Sequence, residues 1–313
     1  DSDTTYINGI CVGRTSYQYP PRIYQVPADL LRAGENEIVI RLVSSAGRPE
    51  FVKGKPYQLE IAGQTIPLTA MWQHKIGCTM KRIPSTIGFQ NEPTGLYNSM
   101  IHPLRNYGIR GIIWYQGESN AHNKEIHEIL FPLLVDSWRK NWNKEFPFYY
   151  VQLSGLNRPS WPHFRDSQRR LEKIIPGSGM AVSSDLGDSL DVHPKRKQEV
   201  GERLARLALN KTYGKDIVPS GPQYKESEFK NGYALISFDY ANGLRASDDK
   251  DLRSFEIAEF DGLYFPAKAI VEGDKIKVWN DKVKHPRFVR YGWAPYTNGN
   301  LVNRELLPAS TFT

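Results

Sequence analysis

The stretch IIWYQGESNA, residues 112–121, decides the fold. Three apolar residues, Ile112 to Trp114, run into a polar turn that carries Gln116, Gly117, Glu118, Ser119 and Asn120. A short apolar run that ends in turn residues is the signature of a buried strand. A second stretch repeats the pattern downstream: MAVSSDLGDSLDVHP, residues 180–194, is a strand followed by a turn that holds Asp191 and His193. Between and after the two lie helical patterns: HEILFPLLVDSWRKNW (127–142), FRDSQRRLEKII (164–175) and KRKQEVGERLARLALN (195–210). The strands IRGIIWY (109–115), FYYVQL (148–153) and MAVSS (180–184) alternate with them. GLYNSMIHPLRNY (95–107) also has helical spacing. Strands alternating with helices predict a parallel sheet with helices on both faces. Sites in such sheets form at the carboxyl ends of the strands, where both polar turns fall.

The two flanks read differently. Residues 1–70 give short β segments: a hairpin around Asn8-Gly9, a strand EIVIRLV (37–43), and a hairpin near Gly63-Gln64. Residues 218–313 return to alternating strands between Gly, Asn and Asp turns, at 234–239, 255–258, 267–271, 275–279 and 288–293. The chain therefore divides into 1–70, part of a β-sandwich; 71–217, an α/β catalytic domain; and 218–313, a C-terminal β-sandwich. The first block has too few strands for a sandwich of its own, which needs about seven.

Composition narrows the function. The 313 residues are 40% hydrophobic and 24% charged, as in ordinary globular proteins. The formal charge of +7 is scattered along the chain. Nucleic-acid binding would need it gathered on one face. A mild positive field does favour an anionic substrate. There is no run of the ~20 apolar residues of a membrane span, nor a visible signal peptide. Two cysteines, Cys11 and Cys78, fit either one disulfide or two buried thiols, and no spacing suggests a metal site. The 17 Tyr, 7 Trp and 21 Pro suit a carbohydrate-handling protein in a secreted or periplasmic setting.

His193 is the leading candidate for a general base, with Asp191 two residues before it as the orienting carboxylate. Glu118 can take the orienting role instead, bind a substrate hydroxyl, or cap the next helix. Gln116 can offer its amide to an oxyanion, or bond the turn backbone. Asn120 reads as a turn or cap residue.

WYQGESN (114–120), with DLGDSLDVHPKRKQEVGERLA (185–205), resembles the sialate O-acetylesterases, a branch of the SGNH hydrolases. The likeness extends to INGICVGRTSYQYPPRIYQVP (7–27) and AGENEIVIRL (33–42), similar to an inserted β-domain of that family. It extends also to SGPQYKESEF (220–229), FDGLYFPAKAIVEGDKIKVW (260–279) and VRYGWAPYTNGNLVNRELLPASTF (289–312), similar to its C-terminal domain. The resemblance implies an SGNH-like α/β fold and a carboxylic ester hydrolase that removes acetyl groups from sialic acid or related sugars. The mechanism would be Ser-His-acid, with no metal or cofactor. His193 would be the base, Asp191 or Glu118 the acid, and Gln116 part of the oxyanion hole. The family carries its serine in a GQSNM-like block that this chain lacks. Ser189, in the string GDSL (187–190), and Ser119 are decoys in the wrong blocks, although a self-contained esterase that uses Ser189 is a further alternative. The implied partner is a missing N-terminal segment, as a second chain or fragment, that brings the serine and covers the open sheet. Paired-carboxylate glycoside hydrolysis by Glu118 and Asp191 is the alternative chemistry. Non-catalytic glycan binding is the alternative class.

Overall fold

The computed structural model describes residues 2–45, 51–81, 88 and 92–313, and the chain divides into two compact units, 1–92 and 93–313.

In the first unit, β1 (Ser2–Ile7) pairs antiparallel with β2 (Ile10–Thr15) and with β3 (Ile38–Val43). Asn8 and Gly9 turn the hairpin with positive φ of 49° and 83°, the twist that a two-residue loop demands. Asp3 is buried on β1 and is held by Arg22 at 2.9 Å and by the Tyr24 hydroxyl at 2.8 Å, which satisfy a carboxylate that burial alone would penalise. A second hairpin joins β4 (Gln58–Ile61) to β5 (Gln64–Pro67). Cys11 and Cys78 are both exposed free thiols, which corrects the expectation of a disulfide or of buried thiols.

The second unit opens with the segment expected to be helical at 95–107. It is helical over 95–104 in an irregular form, with a π turn, Tyr97–Ile101, running into a 3-10 turn, His102–Leu104. Pro103 lacks the N–H of a regular α-helical bond and sits at the start of the 3-10 turn, where none is needed. Beyond it β6 (Ile112–Trp114), β7 (Phe148–Val151) and β8 (Ser178–Ala181) form a parallel sheet in that order, as the apolar runs predicted.

Three helices cover it. α1 (Lys124–Trp142) turns His127, Phe131, Val135 and Arg139 inward at four-residue spacing. Its Phe131 and Val135 join Phe148, Tyr150 and Met180 in one buried cluster. Each such apolar side chain contributes about 1.5–3 kcal/mol. α2 (Trp161–Ile174) buries nine of its 14 residues. Its Gln168 bonds the backbone on both sides of the end of β7, accepting from Leu153 N–H and donating to the Val151 carbonyl. α3 (Lys197–Leu207) packs Val200, Leu204 and Leu207 against Tyr149, Val151 and Ala181.

The chain then runs through β9 (Gln223–Lys230), β10 (Tyr233–Asp239), β11 (Arg245–Ala246), β12 (Phe255–Ala258), β13 (Phe265–Pro266), β14 (Lys268–Glu272), β15 (Lys275–Trp279), β16 (Phe288–Tyr291) and β17 (Leu301–Val302). They make antiparallel sheets in the orders β14-β15-β10-β9, β13-β12-β16 and β11-β17. One apolar cluster, including Ile236, Phe255, Ile276, Val289 and Phe312, is shared by strands of all three. The architecture is thus mixed α/β, a parallel sheet beside several antiparallel ones.

Candidate active site

The loops that leave the carboxyl ends of β6 and β8 carry the polar residues singled out from sequence. After β6, Gly117 adopts φ +145°, a backbone conformation that favours glycine, and a Cβ there would meet the Phe164 ring at 2.7 Å. The loop closes on itself by the Asn120 N–H to Gly117 carbonyl bond at 2.9 Å, which makes Asn120 a turn residue. Gln116 donates from its side-chain Nε2 to Asn120 Oδ1 at 2.6 Å. An amide nitrogen carries two hydrogens, so one remains for another acceptor. Gln116 is exposed and Glu118 half-buried.

After β8, Asp191 Oδ1 accepts the His193 backbone N–H at 3.0 Å and stands 3.4 Å from His193 Nδ1. The carboxylate is the more sheltered partner: its side chain is 18% exposed against 52% for the imidazole. Pro194 is buried beneath this turn, and α3 begins at Lys197.

The two loops meet over a common floor. Val192, between Asp191 and His193, packs against the cluster of Ala121, Leu153, Leu156, Trp161 and Phe164, as does Tyr115 from the β6 loop. Burial pushes the Tyr115 phenol up and the Glu118 carboxylate adds to it, against the lowering effect of the Ser154 and Ser183 hydroxyls. Lys197 sets its ammonium 4.6 Å above the same ring, a cation–π contact that brings positive charge to this end of the sheet.

Backbone closeness fixes the His loop. A Cβ on Gly187 would fall 2.1 Å from the Gly155 carbonyl oxygen, so the loops after β7 and β8 touch with no room for a side chain. The Asn157 N–H bonds the Ser189 carbonyl at 3.1 Å. This contact ties the Ser189 main chain to the loop after β7.

Sequence reading missed the part played by residues 292–296. Arg165, fully buried on α2, donates to the carbonyls of Gly292 at 3.0 Å, Ala294 at 2.5 Å and Pro295 at 3.1 Å. The Pro295 carbonyl also accepts the Leu156 N–H. Some 130 positions separate the partners, and no local periodicity announces such a bond.

A cleft of about 450 Å³ lies at the opposite end of the sheet, between Arg110, Arg139, Lys144, Gly177 and Lys211. Three of its cations are engaged with carbonyls: Arg139 with Phe146, Lys144 with Ile109 and Lys211 with Ser178. These bonds make it a structural seam at the amino ends of the strands.

Residues 70–210 match the family described as carbohydrate esterase, sialic acid-specific acetylesterase. The chain is 32% identical to mouse sialate O-acetylesterase over 208 residues, 58% of this chain and 38% of that protein. It is 32% identical to the human sialate O-acetylesterase over 187 residues, 52% of this chain and 36% of that protein. Among solved structures it is similar to a carbohydrate acetylesterase from Xanthomonas citri, at 36% identity and a TM-score of 0.67, over 69% of this chain and 53% of that one. The resemblance read from the sequence blocks therefore holds. The chain spans little more than a third of the length of these curated relatives.

Proposed function

We propose that this chain, related over residues 70–210 to the sialic acid-specific acetylesterases, supplies the base, the orienting acid and an oxyanion donor of an enzyme that removes O-acetyl groups from sialic acid or a related sugar. The observation that carries the reading is the Asp191–His193 pair, carboxylate sheltered and imidazole open, at the carboxyl end of a parallel sheet.

In this mechanism a serine hydroxyl attacks the acetyl carbonyl carbon. His193 takes the serine proton through Nε2 while Asp191 holds Nδ1 and steadies the imidazolium. The oxygen that becomes negative lies toward Gln116, whose Nε2 keeps a hydrogen to give it. The sugar alcohol leaves with the proton held by His193. Water, deprotonated by the same ring, then releases acetate and restores the serine. No step calls for a metal or a redox group.

The nucleophile on this reading comes from a segment outside residues 1–313, which would join the sheet at β6. Two features support that partner. β6 is an edge strand among the described residues, and its Ile113 is 68% exposed. α1 also carries a second apolar stripe, Ile126, Ile129, Leu130 and Leu133, at helical spacing, all exposed and on the side of the helix opposite the residues it buries. An open strand edge is what a sheet lacking a neighbour presents, and an exposed apolar helix face is what a missing covering segment leaves. The antiparallel sheets of 218–313 would be the accessory β-sandwich.

The test is to express the protein with the residues encoded upstream of Asp1 and to assay release of acetate from O-acetylated sialic acid. Turnover by the extended protein and its loss in His193→Ala support the reading. Undiminished turnover in His193→Ala, or cleavage of aryl glycosides in place of acetyl esters, overturns it.

A further inference from the structure

The segment Gly292–Tyr296 comes from the β part of the second unit, yet it is seated at the carboxyl end of the parallel sheet. The Pro295 carbonyl accepts from Leu156, on the loop after β7. The Tyr296 ring lies where a Cβ on Gly155 would be, 2.9 Å from its Cδ2 atom. On the other side of Gly155 is Gly187, and through Asn157 the same loop binds Ser189, four residues before His193. Tyr296 is therefore one loop removed from the His193 turn, on the same end of the sheet.

Its setting combines exposure with rigidity. The ring is 47% exposed although its main chain is pinned. The pin is Arg165, a buried guanidinium whose hydrogen bonds run to the Gly292, Ala294 and Pro295 carbonyls. Burying a guanidinium is costly and is offset only by well-made bonds. Here those bonds fix the backbone that carries Tyr296. A rigid, half-open tyrosine offers an apolar face with a hydroxyl at its rim, and little side-chain freedom is lost when a ligand covers it.

We propose that Tyr296 is the stacking platform for the sugar ring of the substrate, a specificity-determining residue contributed by the C-terminal β part to a site whose chemistry lies on the α/β part. The inference rests on the sugar acetylesterase reading for its substrate class. The platform holds the carbohydrate while the acetyl group reaches His193, so it governs KM for sugar esters and is irrelevant to an ester without a sugar.

Two measurements test this. The first is binding of the methyl glycoside of N-acetylneuraminic acid to residues 1–313, followed by saturation-transfer NMR, for wild type, Tyr296→Ala and Tyr296→Phe. Alanine should weaken binding about tenfold and phenylalanine should preserve it, stacking being worth about 1.4 kcal/mol per tenfold. Equal binding by wild type and Tyr296→Ala, or none by wild type, overturns the platform. The second is turnover by the N-terminally extended protein. KM for O-acetylated sialic acid should rise about tenfold in Tyr296→Ala with kcat kept, and p-nitrophenyl acetate cleavage should be unchanged. Equal losses on both esters would make Tyr296 merely structural and overturn the proposal. Tyr296-dependent sugar binding without any turnover by the wild-type extended protein would instead remove the esterase reading and leave the platform standing.

Discussion

The Asp191 carboxylate grips His193 twice, through the backbone N–H at 3.0 Å and toward the ring at Nδ1, 3.4 Å away, both with the same oxygen. One oxygen thus fixes both the turn and the face the ring presents. Asp191→Asn keeps the size and an acceptor for the backbone bond, but removes the charge that steadies an imidazolium. In the extended protein it should lower kcat about 10²–10⁴-fold with little change in melting temperature. Glu118→Gln should cost less than about tenfold. The reverse ranking, read from kcat on an acetylated sugar, would move the acid role to Glu118.

Gly187 and Gly201 make a matched pair of opposite sign. A methyl group at Gly187 would meet the Gly155 main chain at 2.1 Å, where neither backbone can yield. Gly187→Ala should therefore spread the β7 and β8 loops, with a loss of about 2–4 kcal/mol in chemical denaturation and near-total loss of turnover. Gly201 is on the exposed face of α3 with open space around it. Gly201→Ala should stabilise by about 0.5–1 kcal/mol, because alanine gives up less backbone freedom in a helix. A destabilised Gly201→Ala, or a tolerated Gly187→Ala, would contradict the packing.

The parallel sheet and its helices were legible because apolar runs such as FYYVQL and the four-residue spacing of Phe131 and Val135 report burial directly. β9 was not read as a strand. Half of its sequence, QYKESEFK, is charged, and its two core-facing aromatics, Tyr224 and Phe229, are five apart. Strand alternation would need an even separation. A register shift opposite Ser237 and Phe238 absorbs the odd residue, so both rings reach one core. The Asp191–His193 pair was legible since its partners are two residues apart. Arg165 was not, because its three acceptors lie 127 to 130 residues downstream and are main-chain atoms without sequence identity. What local spacing encodes can be read; what tertiary packing brings together cannot.

His127 makes stability depend on pH. It is buried on α1 between Phe131 and Phe164, and burial pushes its imidazole down from the usual 6.5 to about 4, with only a small opposing effect from Glu128. The unfolded chain takes up this proton below pH 6.5, whereas the folded chain resists until about pH 4. The stability tied to the neutral ring is thus whole above pH 6.5 and is lost as pH falls toward 4. It amounts to something on the order of 2 kcal/mol after allowance for partial screening. Nδ1 is buried without a hydrogen-bond partner, so His127→Leu should match or exceed wild type at pH 7. Urea midpoints from pH 7 to 4 should fall less steeply for the variant. An unchanged slope would mean that another group carries the transition.

The exposed stripe on α1 gives opposite predictions for the chain alone and for the extended protein. Ile129 and Leu133 lie on the same helix face as Ile126 and Leu130, turned away from the residues that α1 buries, and are open to water. In residues 1–313 alone, such a surface should drive self-association, and Ile129→Lys with Leu133→Lys should suppress it by replacing apolar area with charge. If the missing segment covers this face in the extended protein, the same two lysines become buried charges. They should then cost about 3–5 kcal/mol and reduce esterase activity in proportion to the unfolded fraction. Sedimentation velocity on the chain and denaturation of the extended protein read the two effects. Lysines that leave the extended protein as stable as wild type would mean that the face stays in solvent, and the segment that carries the serine would have to join the sheet elsewhere.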